Sequence, residues 1–404
     1  MIYLVSMSVF SSIIVILVSF LLFIETKILK KGSSFITINN DKKIEVSEGT
    51  TLLSALVSNN ILIPSACGGK GSCGACKCIV EEGGGSILPT ELSHLNRQQR
   101  KDNLRLACQL KIKEDLKIRV PDEIFSIKKY FATVVSNENV ATFIKELVLK
   151  LDPGQSVDFK AGAYMQIDIP EYKEIMFKDF NVAQTYRPAW DRFKFWNIRA
   201  KGDKAVFRAY SLANPPYEKD VLKFTIRIAT PPPGKTDIPP GVGSSYVFNL
   251  RPGSKVSLSG PYGDFFVNKT NREICFIGGG AGMAPMRCHI LHQLHTEKTN
   301  RKITFWYGAR SKSEMFYDEE FSELAQKYNN FSYYVALSDP QPEDKWKGLV
   351  GFIHQCLYDN YLKTHDDPTE IEYYLCGPPM MIDAIENLLF DLGVESNMIK
   401  YDKF

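Results

Sequence analysis

Four cysteines constrain this chain more than any other feature. Cys67, Cys73 and Cys76 lie close together in the run Cys-Gly-Gly-Lys-Gly-Ser-Cys-Gly-Ala-Cys, and Cys108 follows after a long gap. Glycine tolerates positive φ without steric cost, so such a loop can curl tightly and leave its N–H groups free to point inward at sulfur. Four thiolates around an N–H-lined loop suit a [2Fe–2S] cluster, whose potential is tuned by hydrogen bonds to its sulfurs. The chemistry this predicts is one-electron transfer.

The plant-type cluster pattern is C-x4-C-x2-C with a distant fourth cysteine. Here the first gap is five residues, and the loop resembles the longer-gap variant of vertebrate-type and reductase-linked ferredoxins. Structural zinc is the alternative, but it usually takes two close Cys or Cys/His pairs. This chain offers one C-x2-C and a solitary Cys108. Nine cysteines is an odd count for a disulfide framework, and nothing marks an oxidising compartment. Cys78 follows Cys76 on the same side of a predicted strand, Cys76 to Glu81. It is a conceivable substitute ligand, and more plainly a small buried residue.

A chain of 404 residues, 44% of them hydrophobic, has room for two or three domains. The net charge of +3 is spread without a basic stripe, which argues against nucleic acid as a partner. Ile2 to Ile24 carries no charge. At about 1.5 Å per residue that run is long enough for a bilayer core of about 30 Å. Lys27, Lys30 and Lys31 follow directly, which places the remainder on the cytoplasmic side. There is neither a basic n-region nor an A-x-A site, so a retained single-pass anchor over residues 2–24 is expected rather than a signal peptide.

Beyond the anchor, a hairpin (Phe35 to Asn39, Lys42 to Val46), a short helix (Thr51 to Ser58), the cysteine loop and returning strands (Leu104 to Ile112, Leu116 to Val120) predict a β-grasp domain over 33–125. Pro121 to Lys129 reads as a linker. Alternating strands then predict a β-barrel over 130–266. It is interrupted by an aromatic stretch, Tyr172 to Trp196, without clean periodicity. From 267 to 404 strands alternate with helices, including Pro285 to Leu294, as in a parallel, Rossmann-like sheet. The last strand is expected at Glu372 to Cys376, and the last helix at Met380 to Asp391. The predicted class is thus multidomain, α+β and α/β.

The barrel contains Arg208-Ala-Tyr-Ser211. Alternation on a strand gives Arg208 and Tyr210 a common face. An Arg fork suits a pyrophosphate, a Tyr ring suits a flavin face, and Ser211 could reach the flavin's reactive edge. Gly241-Val-Gly243-Ser244-Ser245 reads as a helix start, where free N–H groups form an anion site or simply an ordinary capped helix. Gly278-Gly279-Gly280-Ala-Gly282 ends a strand and opens a helix, which makes a phosphate cradle. Met283 breaks the strict G-x-G-x-x-G pattern. Arg310, at the end of the next strand, could fit a 2′-phosphate. Cys376-Gly377-Pro378 ends the final predicted strand at the sheet's carboxyl edge, where ligands bind in such folds. Cys275, Cys288 and Cys356 read as core.

Taken in order, with Gly260-Pro-Tyr-Gly-Asp264 between them, these motifs resemble the ferredoxin–NADP reductase superfamily over roughly Tyr130 to Phe404. With the anchor, the ferredoxin-type domain and the aromatic insertion, the whole chain resembles the family of F subunits of sodium-translocating NADH:quinone oxidoreductases. That resemblance implies FAD on Arg208, Tyr210, Ser211 and Gly241–Ser245, and NADH at Gly278–Gly282 and Cys376–Pro378. It implies a [2Fe–2S] cluster on Cys67, Cys73, Cys76 and Cys108, and an aromatic C-terminus, Phe404, over the flavin.

It further implies an NADH-oxidising component of a bacterial inner-membrane complex. Hydride would pass to FAD, with Ser211 and Cys376 at the reacting centre, and single electrons would pass through iron to partner subunits and quinone. One helix cannot form an ion path of facing polar residues, so sodium transport falls to partners, and the aromatic stretch is a candidate docking surface. Two other readings remain: a reductase component feeding an oxygenase, and a tethered, non-catalytic iron–sulfur carrier.

Overall fold

The computed structural model describes every residue except Met1, 24–31, Pro233, Gly234, Thr236 and Phe404. Phe404 and the Lys27, Lys30 and Lys31 cluster therefore lie outside the described residues. The chain forms two compact units, Met1–Ser126 and Ile127–Phe404.

The first unit opens with α1 (Ile2–Phe23). Its described side chains, such as Phe10 at 66% and Ile16 at 67%, are exposed. Among the described residues no helix is long and apolar enough to cross a membrane. Next come β1 (Ser33–Ile38), β2 (Lys42–Ser47), α2 (Leu52–Ser58), β3 (Lys77–Glu82), α3 (Arg97–Lys101), β4 (Leu104–Leu106) and β5 (Leu116–Arg119). Along β1 the sequence alternates, so Ile36 and Ile38 are buried while Ser33 and Phe35 face outward. Thr51 caps α2 by accepting from the Ser54 N–H at 3.2 Å, which directs Leu52, Leu53, Ala55 and Leu56 into the core.

The strands form one mixed sheet, β2-β1-β5-β3-β4. It is parallel only between β1 and β5, at Ile36↔Leu116. This is the β-grasp arrangement. The segment expected as a long closing strand, Leu104 to Ile112, is extended only as far as Leu106. It then turns, because Glu91 holds it from outside. The Glu91 carboxylate, fully buried, accepts from the Leu106 N–H at 2.8 Å and from the Arg105 guanidinium at 2.7 Å.

The second unit begins with the strands β6 (Lys128–Ala141), β7 (Ile144–Leu151), β8 (Tyr164–Ile169) and β9 (Tyr172–Met176). It continues with α4 (Arg187–Arg192), β10 (Arg199–Gly202), β11 (Val206–Ser211), β12 (Val221–Arg227), α5 (Val242–Asn249) and β13 (Lys255–Tyr262). Six of these strands pair antiparallel in the order β11-β8-β13-β6-β7-β12. The sheet's two ends meet where the Ala213 N–H donates to Lys223 O at 2.8 Å.

The aromatic stretch packs onto the barrel. Phe177, Phe180 and Trp190 are buried against Phe248 of α5, and Trp190 Nε1 donates to Thr142 O at 2.8 Å. Its rings close a second small core on the barrel wall, which leaves Phe193 as its exposed large apolar residue.

The unit ends in β14 (Ile274–Gly279), α6 (Met283–Leu291), β15 (Ile303–Ala309), α7 (Asp318–Lys327) and β16 (Phe331–Leu337). These are followed by β17 (Leu349–Val350), α8 (Ile353–Asn360), β18 (Glu372–Gly377), α9 (Pro379–Asp391) and β19 (Ile399–Lys403). The sheet is wholly parallel, in the order β17-β16-β15-β14-β18-β19. Two expectations are corrected here. The first helix starts at Met283 after a 3₁₀ turn, Gly280–Gly282, so Pro285 sits inside the first turn. The last strand is β19, not β18. The pattern of Ile399 and Tyr401 is too short to announce a strand, and pairing with β18 supplies what local sequence does not.

Lys145 of β7 is fully buried. Its Nζ donates to Phe248 O at 3.4 Å, beside the carbonyl end of α5. Burial, reinforced by Arg251 and opposed by Glu138, pulls its pKa down to about 8. The unfolded chain therefore binds this proton more tightly, and stability rises as pH climbs from about 8 towards the ordinary lysine value. Lys145→Met should flatten that rise, an effect of the order of 3 kcal/mol. Denaturant melts near pH 7 and near pH 10 check it; equal slopes in parent and variant would contradict the burial argument.

Candidate functional site

In the first unit the cysteine loop leaves Cys73 exposed and Cys67 half-buried, whereas Cys76 and Cys108 are buried. The loop's curl depends on positions such as Gly74, at φ 66°, where a Cβ would stand 2.9 Å from His94 Nδ1. Cys73 Sγ accepts from the Cys67 N–H at 3.4 Å and the Ala75 N–H at 3.5 Å. The sulfurs interact in two pairs. A hydrogen bond from Cys73 lowers the Cys67 thiol, helped by the N–H groups of Ser72, Cys73 and Gly71, and raises Cys73 in return. A hydrogen bond from Cys76 lowers Cys108 and raises Cys76 in the same way.

Among the described residues no three or more such side chains surround one point as a single ion would need. Two pairs of sulfurs, each with N–H donors, fit a dinuclear cluster that takes two thiolates on each iron. Cys78 stands apart. It is buried on β3 against Arg105, and burial pushes its thiol up to about 12.

In the second unit, β11 and the start of α5 face each other. A Cβ at Gly243 would lie 2.6 Å from Arg208 Cγ and 3.0 Å from the Tyr210 hydroxyl. Arg208 and Tyr210 therefore share the face expected of them. Arg208 Nη1 donates to Phe207 O at 2.7 Å, and burial raises the Tyr210 hydroxyl. Gly241 is the N-cap residue of α5. Ser244 Oγ is used locally, accepting from the Ala229 N–H at 3.1 Å and donating to Gly241 O at 3.2 Å. Ser245 Oγ is buried with no partner among the described residues. A Cβ-free cradle, an orphan hydroxyl and an arginine fork at a helix N-terminus fit a pyrophosphate-bearing cofactor.

The glycine turn after β14 does two jobs. Gly280, at φ 56°, allows the sharp change of direction. Gly282 allows contact, because a Cβ there would lie 2.1 Å from Cys376 O and 2.9 Å from Gly377 N. The two motifs expected to hold the nicotinamide nucleotide are thus adjacent at the carboxyl edge of β14 and β18. Gly278 and Gly279 end β14, and Pro378 caps α9. The exposed Arg310 side chain donates through Nε to Asp339 Oδ2 at 3.2 Å, which leaves its Nη groups outside that bond.

Two residues that contact the candidate site carry no sequence motif. In β19, Asp402 is in register with Cys376 of β18, and its Oδ2 accepts from Ser211 Oγ at 3.0 Å. Burial raises the Asp402 carboxyl, and Asp264 adds to this against the Ser211 hydrogen bond. The Cys376 thiol is raised by burial and then by Asp402. Ser211 and Cys376, which are 165 positions apart in the chain, thus meet through a carboxyl group.

The other residue is Arg287 of α6, buried and bidentate to Glu320 at 2.6 and 2.7 Å. Its Nη1 donates to Ala213 O at 2.9 Å, just past Ser211. No motif marks either residue, because both act through tertiary contacts.

Three family profiles match the chain: a 2Fe-2S iron-sulfur cluster binding domain over 36–113, an oxidoreductase FAD-binding domain over 193–267 and an oxidoreductase NAD-binding domain over 276–387. Among curated proteins, the chain is 53% identical over 399 residues to the F subunit of the Na(+)-translocating NADH-quinone reductase of Pseudomonas aeruginosa, covering 99% of this chain and 98% of that one. The corresponding F subunit of Neisseria meningitidis is 49% identical over 395 residues, covering 98% and 97%. Among solved structures, an Amycolatopsis cytochrome P450 reductase aligns with TM-score 0.64 at 23% identity over 92% of this chain and 98% of that one. A ferredoxin reductase of carbazole 1,9a-dioxygenase gives 0.60 at 24% identity over 93% and 99%. These two likenesses are of fold.

Filling the cradle should empty the flavin site. Gly243→Val should weaken FAD retention roughly tenfold or more while leaving the iron–sulfur absorbance in place. Equilibrium dialysis with visible spectra measures both, and undiminished FAD would show that this face is not the cradle.

Proposed function

The chain belongs to the family of F subunits of Na(+)-translocating NADH-quinone reductases, and from that membership we propose a residue-level account of how it takes in electrons. It is an NADH-oxidising electron-input component with [2Fe–2S], FAD and NAD-binding domains. When bound, FAD would take the electron pair that NADH gives up as hydride and pass it on singly, and the cluster would carry single electrons.

The protein's own residues bind, orient and move protons. Cys67, Cys73, Cys76 and Cys108 are assigned to iron. Arg208 and the α5 N-terminus, with Ser244 and Ser245, are assigned to the FAD pyrophosphate, and Tyr210 to the flavin ring. Gly278–Gly282 and Gly377–Pro378 are assigned to NADH, and Phe404 to the flavin's outer face. Cys376 lines the nicotinamide side of the reacting centre. Ser211 offers its hydroxyl to the flavin edge, and Asp402 Oδ2 holds or receives the Ser211 proton.

The observation that carries this account is the Ser211–Asp402 hydrogen bond beside Cys376. It supports a proton-exchanging pair where the barrel strand and the nucleotide sheet converge. The domain limits that fit are 33–125 for iron–sulfur, 130–266 for FAD and 267–404 for NAD.

The uncharged run Ile2 to Ile24 in the sequence supports a single membrane anchor over 2–24. Together with the family membership, it supports a place in a bacterial inner-membrane complex with the bulk of the chain cytoplasmic. The partners are the complex's other subunits, which would carry quinone reduction and sodium transport.

Anaerobic NADH titration of the purified protein should bleach flavin absorbance and then develop the reduced cluster's paramagnetic signal. A protein that stays colourless, or whose flavin NADH does not bleach, would refute the account. Ser211→Ala, Cys376→Ala and Asp402→Asn should each slow stopped-flow flavin reduction by roughly tenfold to a hundredfold, with the cluster spectrum unchanged. Normal flavin reduction in Asp402→Asn would remove it from the centre.

A further inference from the structure

The cysteine sulfurs receive hydrogen bonds from the backbone of their own loop, with one exception in kind. Gln109, next to Cys108, turns its side chain back, and its Nε2 donates to Cys108 Sγ at 3.5 Å. Its Oε1 accepts from Thr90 Oγ1 at 3.0 Å. A ligand thiolate can only accept, so the amide's N–H end belongs against the sulfur, and the Thr90 hydroxyl, which can donate or accept, then donates to the carbonyl end. Space for the amide is provided by the cysteine loop itself. At Gly71, φ is 80°, and a Cβ would stand 2.4 Å from Gln109 Nε2. Any larger residue would push the amide off the sulfur. Thr90 is in turn next to Glu91, whose buried ion pair with Arg105 holds the turn at Pro89–Glu91 against the strand leading to Cys108.

We infer that Gln109 is a tuning residue for the iron–sulfur cluster: its amide N–H, posed by Thr90 and admitted by Gly71, raises the cluster's reduction potential through Cys108. This rests on the assignment of Cys108 as a cluster ligand. Reduction by one electron adds one negative charge to the cluster and its thiolates. A donor aimed at a ligand sulfur stabilises that added charge more than it stabilises the oxidised form. The potential therefore rises, which makes the cluster a better acceptor for electrons leaving the flavin. Backbone N–H donors, such as those on Cys73, survive any substitution. The Gln109 donor does not, so it is a part of the hydrogen-bond shell that one substitution can remove.

The test is an anaerobic redox titration of the full-length protein, with the cluster followed by electron paramagnetic resonance and the flavin by visible absorbance. Gln109→Leu should move the cluster midpoint to a more negative potential, with the flavin midpoint and the oxidised cluster spectrum unchanged. Gln109→Glu should move it further the same way, because a carboxylate next to Cys108 opposes added negative charge. Thr90→Val should give a smaller negative shift, since the donor is kept but no longer posed.

An intact cluster spectrum with an unmoved midpoint in Gln109→Leu overturns the inference. If that variant fails to assemble its cluster, an unmoved midpoint in Thr90→Val overturns it instead. A purely structural role would lower the melting temperature and leave both midpoints in place. Failure of the ligand assignment gives a different result: Cys108→Ala would keep the parent's iron–sulfur spectrum.

Discussion

The proposed reacting centre depends on how a short last strand pairs. β19 lies parallel to β18, and that pairing brings Asp402 level with Cys376 and within hydrogen-bond distance of Ser211. A parallel sheet presents its ligand groups at the carboxyl ends of its strands, so a carboxylate needed at that edge must come from a strand ending there. β19 meets this condition at the lowest cost in chain length. Its end is also tied to the barrel side, where Lys400 Nζ donates to Phe266 O at 2.7 Å. The Gly282 contact with Cys376 acts in the same direction, by letting the nucleotide turn and the Cys-Gly-Pro turn touch through backbone alone.

Much of this was legible in the sequence. The cysteine spacing, the glycine turns and the Arg-x-Tyr-Ser strand each encode local geometry, and local geometry follows from nearby residues. The face shared by Arg208 and Tyr210 follows from strand alternation. The start of α5 follows from small residues at a helix entrance. Asp402 was not legible, because a five-residue strand with an exposed Tyr401 gains its conformation from β18. The packing of the aromatic stretch was not legible for a related reason. Its rings lack a helical or strand period, yet they bury around Trp190 by packing against α5 and the barrel, a contact that no periodicity records. The neighbour that Arg310 gains in Asp339 is likewise a tertiary contact that the sequence does not announce.

Buried charge in the molecule follows one rule with one departure. Glu91 with Arg105, Glu320 with Arg287 and Glu372 with Arg301 are each paired at 2.7 Å or less, with at least one partner deeply buried. Removing one partner from such a pair strands a charge and costs about 3–5 kcal/mol. The pairs therefore work as latches at places where segments distant in sequence must meet. Glu91 latches the outer wall of the cluster loop, Arg287 the junction of α6 with the end of β11, and Arg301 the base of the nucleotide sheet. Lys145 is the departure. Its partners are the carbonyl end of α5 and the face of Phe248, 5.4 Å from Nζ. There a positive charge complements the helix dipole, and the opposite end of the same helix is the proposed anion site. One eight-residue helix thus has a cation at its carbonyl terminus and, among the described residues, an unpartnered hydroxyl, Ser245, near its amide terminus.

The proton arrangement at β11 follows from electrostatics of the same kind. Negative charge arriving beside Ser211 is stabilised most by a group that can supply a proton without bringing a permanent positive charge of its own. A carboxyl raised by burial meets that need, because its proton is held more strongly than at an exposed aspartate. Asp402 is raised by burial, with Asp264 nearby pushing in the same direction. The Ser211 hydroxyl donates to Asp402 Oδ2 at 3.0 Å, so in the proposed centre the two groups share a defined path for proton exchange. The Cys376 thiol, raised by burial and by Asp402, stays protonated and uncharged, so it lines the centre without competing for the incoming charge. An arginine or lysine in place of Asp402 would neutralise charge but could not hand over a proton, and a serine could relay one but could not hold it in reserve. In the proposed centre a half-buried carboxyl such as Asp402 meets both needs at once.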